Sequence, residues 1–227
     1  MSRWRDNAAP YAAYSAALTL LFAGVYGSTN WHCSIRDSRY RFYWDWERQL
    51  PFVPELILIY LSIGFVFALP LFVLPRRELR PFAAAFALAT VAAGAVFALL
   101  PAPIGFERST ATHGLEPVFR LLYRLDNVCN TLPSLHVTYG TLTMLALARH
   151  VPSKGARIGL WLWLASMFAA VILIRQHHVA DVVAGVGLGA FCYGCFARWS
   201  EPIRSGKESP EAYRGSDPES AAGRPTS

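Results

Sequence analysis

Charged residues in this chain fall in clusters, and the stretches between clusters are long and apolar. No Lys, Arg, Asp or Glu occurs between Asp6 and Arg36, Glu55 and Arg76, Arg80 and Glu107, Asp126 and Arg149, Arg157 and Arg175, or Asp181 and Arg198. Crossing the hydrocarbon core of a bilayer takes roughly 20 mostly apolar residues. The gaps therefore predict six spans, near residues 8–28, 54–74, 81–101, 132–148, 158–174 and 178–197. A soluble helical bundle is disfavoured, because so many apolar helices leave too little polar sequence to cover them. A signal peptide is an alternative reading of the first segment, but Ala23-Gly24-Val25 makes a poor cleavage site. The expected fold is an all-α integral membrane bundle of six transmembrane helices over residues 1–199. Residues 200–227, rich in Ser, Pro, Gly and Glu, lack apolar periodicity and read as a disordered cytoplasmic tail.

Composition agrees. Of 227 residues, 54% are hydrophobic and 16% charged, where a soluble domain carries nearer a quarter charged. A net charge of +6 would suggest nucleic acid in a soluble protein; in a membrane protein the distribution of basic loops matters more. One side holds Arg3, Arg5, Arg76, Arg77, Arg80, Arg149, Lys154, Arg157, Arg198, Arg204 and Lys207. The other holds fewer: Arg36, Arg39, Arg41, Arg48, Arg108, Arg120, Arg124 and Arg175. The excess places both termini in the cytoplasm and the other loops outside, in the cell membrane. The expected partners are membrane lipids, not nucleic acid.

Two outer loops stand out. Residues 30–51 interleave Tyr40, Phe42, Tyr43, Trp44 and Trp46 with charges, which suits the headgroup layer, as an aromatic belt or as a lipid contact. Residues 102–131 form a second, polar loop. Cys33 and Cys129 both fall outside, where a disulfide can persist. Cys192 and Cys195 lie inside the sixth span without a second ligand pair, and read as packing residues. Gly185, Gly187, Gly189 and Gly194 allow close helix packing there.

Ionisable groups at span edges are costly and therefore functional candidates, and three sets occur on the outer side. In Asn130-Thr131-Leu132-Pro133-Ser134-Leu135-His136, Thr131 or Asn130 can cap the fourth span with Pro133 in its first turn. Free amides beside the Ser134 hydroxyl would make an anion site. His136 can protonate a leaving oxygen, or simply anchor the helix. In Arg175-Gln176-His177-His178-Val179-Ala180-Asp181, the spacing of His177 and Asp181 puts them on one helix face. The carboxylate would then fix the ring tautomer and free the other nitrogen as a nucleophile; a structural His–Asp tie is the alternative. Arg108, after the third span, can clamp phosphate oxygens. His178 and Asn130 are candidate headgroup contacts. A metal centre built from His136, His177, His178 and Asp181 is a competing reading, as is a membrane protein without catalysis.

Taken together these residues resemble the type 2 phosphatidic acid phosphatase superfamily, membrane relatives of vanadium haloperoxidases. Pro133-Ser134-Leu135-His136 matches the family's Pro-Ser-x-His motif, and His177 to Asp181 its His-x-x-x-Asp. The Pro-Ser-Leu-His form and Arg175, two before His177, resemble the branch with inositol phosphorylceramide synthases. Departures exist: Ser109 follows Arg108 where the family has Pro, Pro101 stands where its lysine falls, and Val171 where its third-motif arginine falls. The resemblance covers about 50–197. It implies a metal-free, cofactor-free reaction on a lipid phosphate. His177 would be the nucleophile, Asp181 its orienter and His136 the acid and base, with Arg108, Arg175 and Ser134 holding phosphate. Water as acceptor gives a phosphatase; an alcohol gives a phosphotransferase.

Overall fold

A computed structural model describes residues 3–36, 40–109, 112–125 and 129–201. Among them the chain is helical without strands, and Ala102 and Asn130 form an isolated bridge. Helix α1 spans Arg3–Ser34, α2 Ile57–Leu61, α3 Ile63–Val73, α4 Arg76–Leu99, α5 Glu116–Leu125, α6 Leu135–Ala148, α7 Lys154–Leu173 and α8 Val179–Ser200. Single 3-10 turns cover Asp45–Gln49 and Pro54–Leu56. The predicted tail begins where α8 ends; residues 202–227 lie outside the described residues.

Five stretches are long and apolar enough to cross a membrane: Trp4–Ser34, Pro54–Val73, Arg76–Leu99, Lys154–Leu173 and Val179–Ser200. The remaining predicted span, 132–148, contains α6, which has only 14 residues. That is about 21 Å of helix against about 30 Å of hydrocarbon. Helix α6 is buried along most of its length, enclosed by α3, α4, α7 and α8. The second crossing is broken at Ser62. Its hydroxyl donates back to the Ile59 carbonyl at 2.6 Å and accepts the Trp163 indole N–H at 2.8 Å, and such back-bonding bends helices.

Contacts between helix ends fix which loops lie together. At one end the Asn7 amide donates to the Leu71 and Leu74 carbonyls, both at 2.9 Å, and His150 meets Glu78 at 2.8 Å. At the other, Cys33 and Cys129 are joined in a disulfide. There also the Val53 N–H donates to the Leu173 carbonyl, and the Ser134 N–H to the Asp181 carbonyl, each at 3.0 Å. Successive long elements thus run in opposite directions, and every loop with candidate chemistry lies at the second end.

Helices α6 and α8 approach closely because two glycines remove side chains between them. A Cβ on Gly185 would stand 2.7 Å from the Ser134 carbonyl, and one on Gly189 2.6 Å from that of Thr138. Gly187 and Gly194 meet nothing within 4 Å, so the expected packing role belongs to the pair one turn apart. The predicted polar loop 102–131 contains α5, an amphipathic helix whose Phe119 is 1% exposed.

Candidate active site

Helix α7 ends in a turn that aims Arg175. The Gln176 N–H donates to the Val171 carbonyl at 3.0 Å and the Arg175 N–H to the Ile172 carbonyl at 2.9 Å. This is the Schellman pattern, whose left-handed position normally holds glycine. Here Arg175 occupies it, with φ of 59°. A side chain in that region is strained, and such strain collects at functional sites. Val171, where the family's arginine was expected, is fully buried, and its carbonyl anchors the turn.

His177 comes next, and it stands ahead of α8 instead of on it. His178 is the N-cap of that helix. The i,i+4 reasoning for His177 and Asp181 is therefore corrected: they do not share a helix face. Asp181, in the first turn, reaches back, accepting the His178 N–H at 2.8 Å and lying 3.5 Å from His177 Nδ1. The Thr131 carbonyl is nearer to that nitrogen, at 3.1 Å. A carbonyl only accepts, so Nδ1 carries the proton and Nε2 keeps its lone pair. The tautomer expected from Asp181 is set mainly by Thr131.

His136 lies in the first turn of α6, stacked on Tyr60 at 4.1 Å and 6.4 Å from His177 between ring centroids. At that separation two imidazoles can touch the same phosphoryl group. Ser134 departs from expectation. It is fully buried and is itself the N-cap, its hydroxyl accepting from the Val137 N–H at 3.5 Å. Its own amide goes to Asp181. Neither Thr131 nor Asn130 caps the helix, and of the amides around Ser134 its own and that of Val137 are engaged.

His178 is also corrected as a headgroup contact. It is 2% exposed, sandwiched between Tyr43 and Phe106 with both ring centroids at 4.3 Å. Nδ1 faces Glu47 at 3.2 Å, and Nε2 accepts the Gly105 N–H at 3.0 Å. Glu47, fully buried, further accepts from the amides of Trp44 and Val179. The 40–49 segment, read from sequence as an aromatic belt or a lipid contact, thus clamps the 102–109 loop to α8. Nothing in the sequence marks Glu47 as the buried acid, because its partner lies 131 residues away.

That clamp positions the cations. Arg175 lies over Phe106 and Phe52, at 5.7 and 5.8 Å, and donates to the Leu50 carbonyl at 3.2 Å. Its Nε is buried with no partner among the described residues. Arg108 donates to the Tyr123 carbonyl and covers that ring at 4.7 Å. Burial raises the Tyr123 phenol above its ordinary value despite Arg108, so it stays neutral beside the cations. Among the described residues no group of three or more His, Cys, Asp or Glu side chains is arranged to hold a metal ion.

A sequence profile of the PAP2 superfamily matches residues 56–194, more than half of the chain. The chain belongs to the PAP2 superfamily. No curated protein and no solved structure matches it. The PAP2 region runs from the end of the second 3-10 turn into α8, and so contains His136, His177, Asp181, Arg108 and Arg175. It excludes α1 and Glu47, which the fold adds to the site from outside. The PAP2 superfamily generally comprises phosphatases and phosphotransferases.

Two cavities meet at this PAP2 site. A small polar pocket is lined by Arg108, Arg175, Gln176, His177, Thr131 and Asn130, among others. A cavity of about 650 Å³ lies beside it, within the range of ligand sites. Its walls are largely apolar and include Phe22, Ile63, Phe67, Phe86, Leu135 and His136 from α1, α3, α4 and α6. His177 and Asn130 line both.

Proposed function

We propose that this chain is a membrane lipid phosphatase acting through a phosphohistidine. The observation that carries the reading is the double position of His177, between a polar pocket furnished with two arginines and an apolar cavity among helices. A lipid phosphate is divided in the same way, with a charged ester at one end and hydrocarbon at the other. In the first step Nε2 of His177 attacks phosphorus and the bond from phosphorus to the lipid oxygen breaks. Thr131 and Asp181 hold Nδ1–H, and so keep the ring aimed and stabilise the positive charge that grows on it. Arg108 and Arg175 face the non-bridging oxygens, where transition-state charge collects. His136 gives its proton to the departing alcohol. It then takes one from water, which attacks phosphorus and returns the electron pair of the P–N bond to His177.

Helix α6 completes a six-crossing arrangement in this proposal, its short length compensated by loops that dip towards the cavity. Both termini face the cytoplasm and the site faces outwards, as the basic loops favour. The test is release of inorganic phosphate from a panel of lipid phosphates by purified protein, alongside capture of an acid-labile phosphoenzyme. Phosphate release with the intermediate supports the reading. Transfer to an added alcohol with no release makes the chain a phosphotransferase of the kind its Pro-Ser-Leu-His motif resembles; neither product rules out both.

A further inference from the structure

Asn130 carries an unmet acceptor at the junction of the two cavities. The residue is 5% exposed and lines both. Its amide nitrogen donates to the Tyr26 carbonyl at 3.3 Å and to the Thr29 hydroxyl at 2.9 Å. A carbonyl cannot donate, and Thr29 directs its own proton to the Val25 carbonyl at 2.9 Å. The orientation of the amide is therefore decided by chemistry: the nitrogen faces α1 and Oδ1 faces away from it. The adjoining Cys33–Cys129 disulfide holds α1 against this segment. Oδ1 is buried and has no hydrogen-bond partner among the described residues. A buried acceptor left open in a site lined by His136 and His177 points to a donor that arrives with a ligand.

Counting protons identifies that donor. In the second half-reaction the attacking oxygen forms its bond to phosphorus while the bond to His177 Nε2 breaks. One proton of the nucleophile goes to His136. Water has a second proton, which stays on the oxygen and can be donated to Oδ1. A monohydric alcohol has none left, and its alkyl group would face the buried oxygen instead. We infer that Asn130 is the residue that selects water over alcohol as the phosphoryl acceptor. A site that hydrogen-bonds one group discriminates against an analogue lacking it. The inference rests on the phosphohistidine reading, and it names what decides between hydrolysis and transfer.

The experiment measures the ratio of alkyl phosphate to inorganic phosphate when a lipid phosphate is turned over in water containing methanol. The ratio is formed within one sample, so it is independent of how much of a preparation is folded. Asn130→Ala and Asn130→Ser are expected to raise it about tenfold over the unaltered protein, the equivalent of one ordinary hydrogen bond. Thr29→Val, which loosens the anchor and leaves Oδ1 in place, is expected to raise it less. Ratios equal to or below that of the unaltered protein overturn the inference. Should both Asn130 variants lose turnover, the Thr29→Val ratio decides: raised supports it, unchanged overturns it. An unaltered protein that acts on no lipid phosphate overturns the proposed function itself, whereas normal turnover with unmoved ratios overturns only the role of Asn130.

Discussion

Of the histidine–carboxylate pairs among the described residues, two stand at opposite ends of the bundle and are built for different ends. His150 and Glu78 meet at 2.8 Å, with side chains 18% and 3% exposed. His177 and Asp181 are 3.5 Å apart, at 7% and 2%. The tighter pair joins the first turn of α4 to the second residue after the end of α6, and neither member lines either cavity. The looser pair shares its histidine with the Thr131 carbonyl and both cavities. Burial and pairing alone therefore do not mark a site. What separates the two is where the other ring nitrogen can reach: at His150 the bonded atom is Nε2 and the residue lines neither cavity, whereas at His177 the bonds among the described residues are to Nδ1 and the ring lines both cavities.

The largest test of this contrast is His177→Ala. Turnover of a lipid phosphate should fall by about 10³-fold or more, as for other nucleophiles, with loss of the acid-labile phosphoenzyme. A variant that keeps full activity places the chemistry elsewhere. Next comes Arg175→Gly, which separates function from stability at one residue. Losing one donor to the transferring group should cost about 10²-fold in kcat/KM. Thermal stability in detergent should hold or rise, because glycine relieves the left-handed strain by up to about 1 kcal/mol. A large fall in stability would mean that Arg175 holds the fold instead of phosphate.

A smaller effect is expected at the clamp. Glu47→Gln leaves one acceptor oxygen for the three donors of Trp44, His178 and Val179. The 102–109 loop and its arginine should shift, at a cost of about tenfold in kcat/KM; the phosphoenzyme should still form. The smallest effect on chemistry belongs to the far end. His150→Ala leaves Glu78 buried without its partner and should cost about 1–3 kcal/mol of stability, with kcat within about twofold of normal. A kcat loss there as deep as that of His177→Ala would erase the distinction drawn between the two pairs.

How legible was all this? The long spans could be read because a charge inside hydrocarbon is so costly that its absence is a reliable signal. The two histidines could be placed on one end by counting crossings, and Gly185 with Gly189 by their spacing. Helix α5 was not expected although Val118, Phe119, Leu122 and Tyr123 repeat at helical spacing; it is short, and Glu116, Arg120 and Arg124 give it the charge of a loop. Ser134 and His178 have structural partners that the sequence did not show, for one reason. Each residue's type suits phosphate contact, but its neighbours in space had already engaged it: the Val137 amide in one case, Glu47 and Gly105 in the other.

By itself the sequence determined a helical membrane chain of the PAP2 superfamily, with His136, His177 and Asp181 at one end. Those properties follow from local composition and spacing, which act along the chain. Only the tertiary structure decided what each polar group faces. It assigned the His177 proton to Thr131, buried Glu47 against His178, put Arg175 in a glycine's place and left Asn130 Oδ1 open. The physical reason is that a buried polar atom must find its partner by proximity in space, and the partners of Asn130 and His178 lie 101 and 131 residues away.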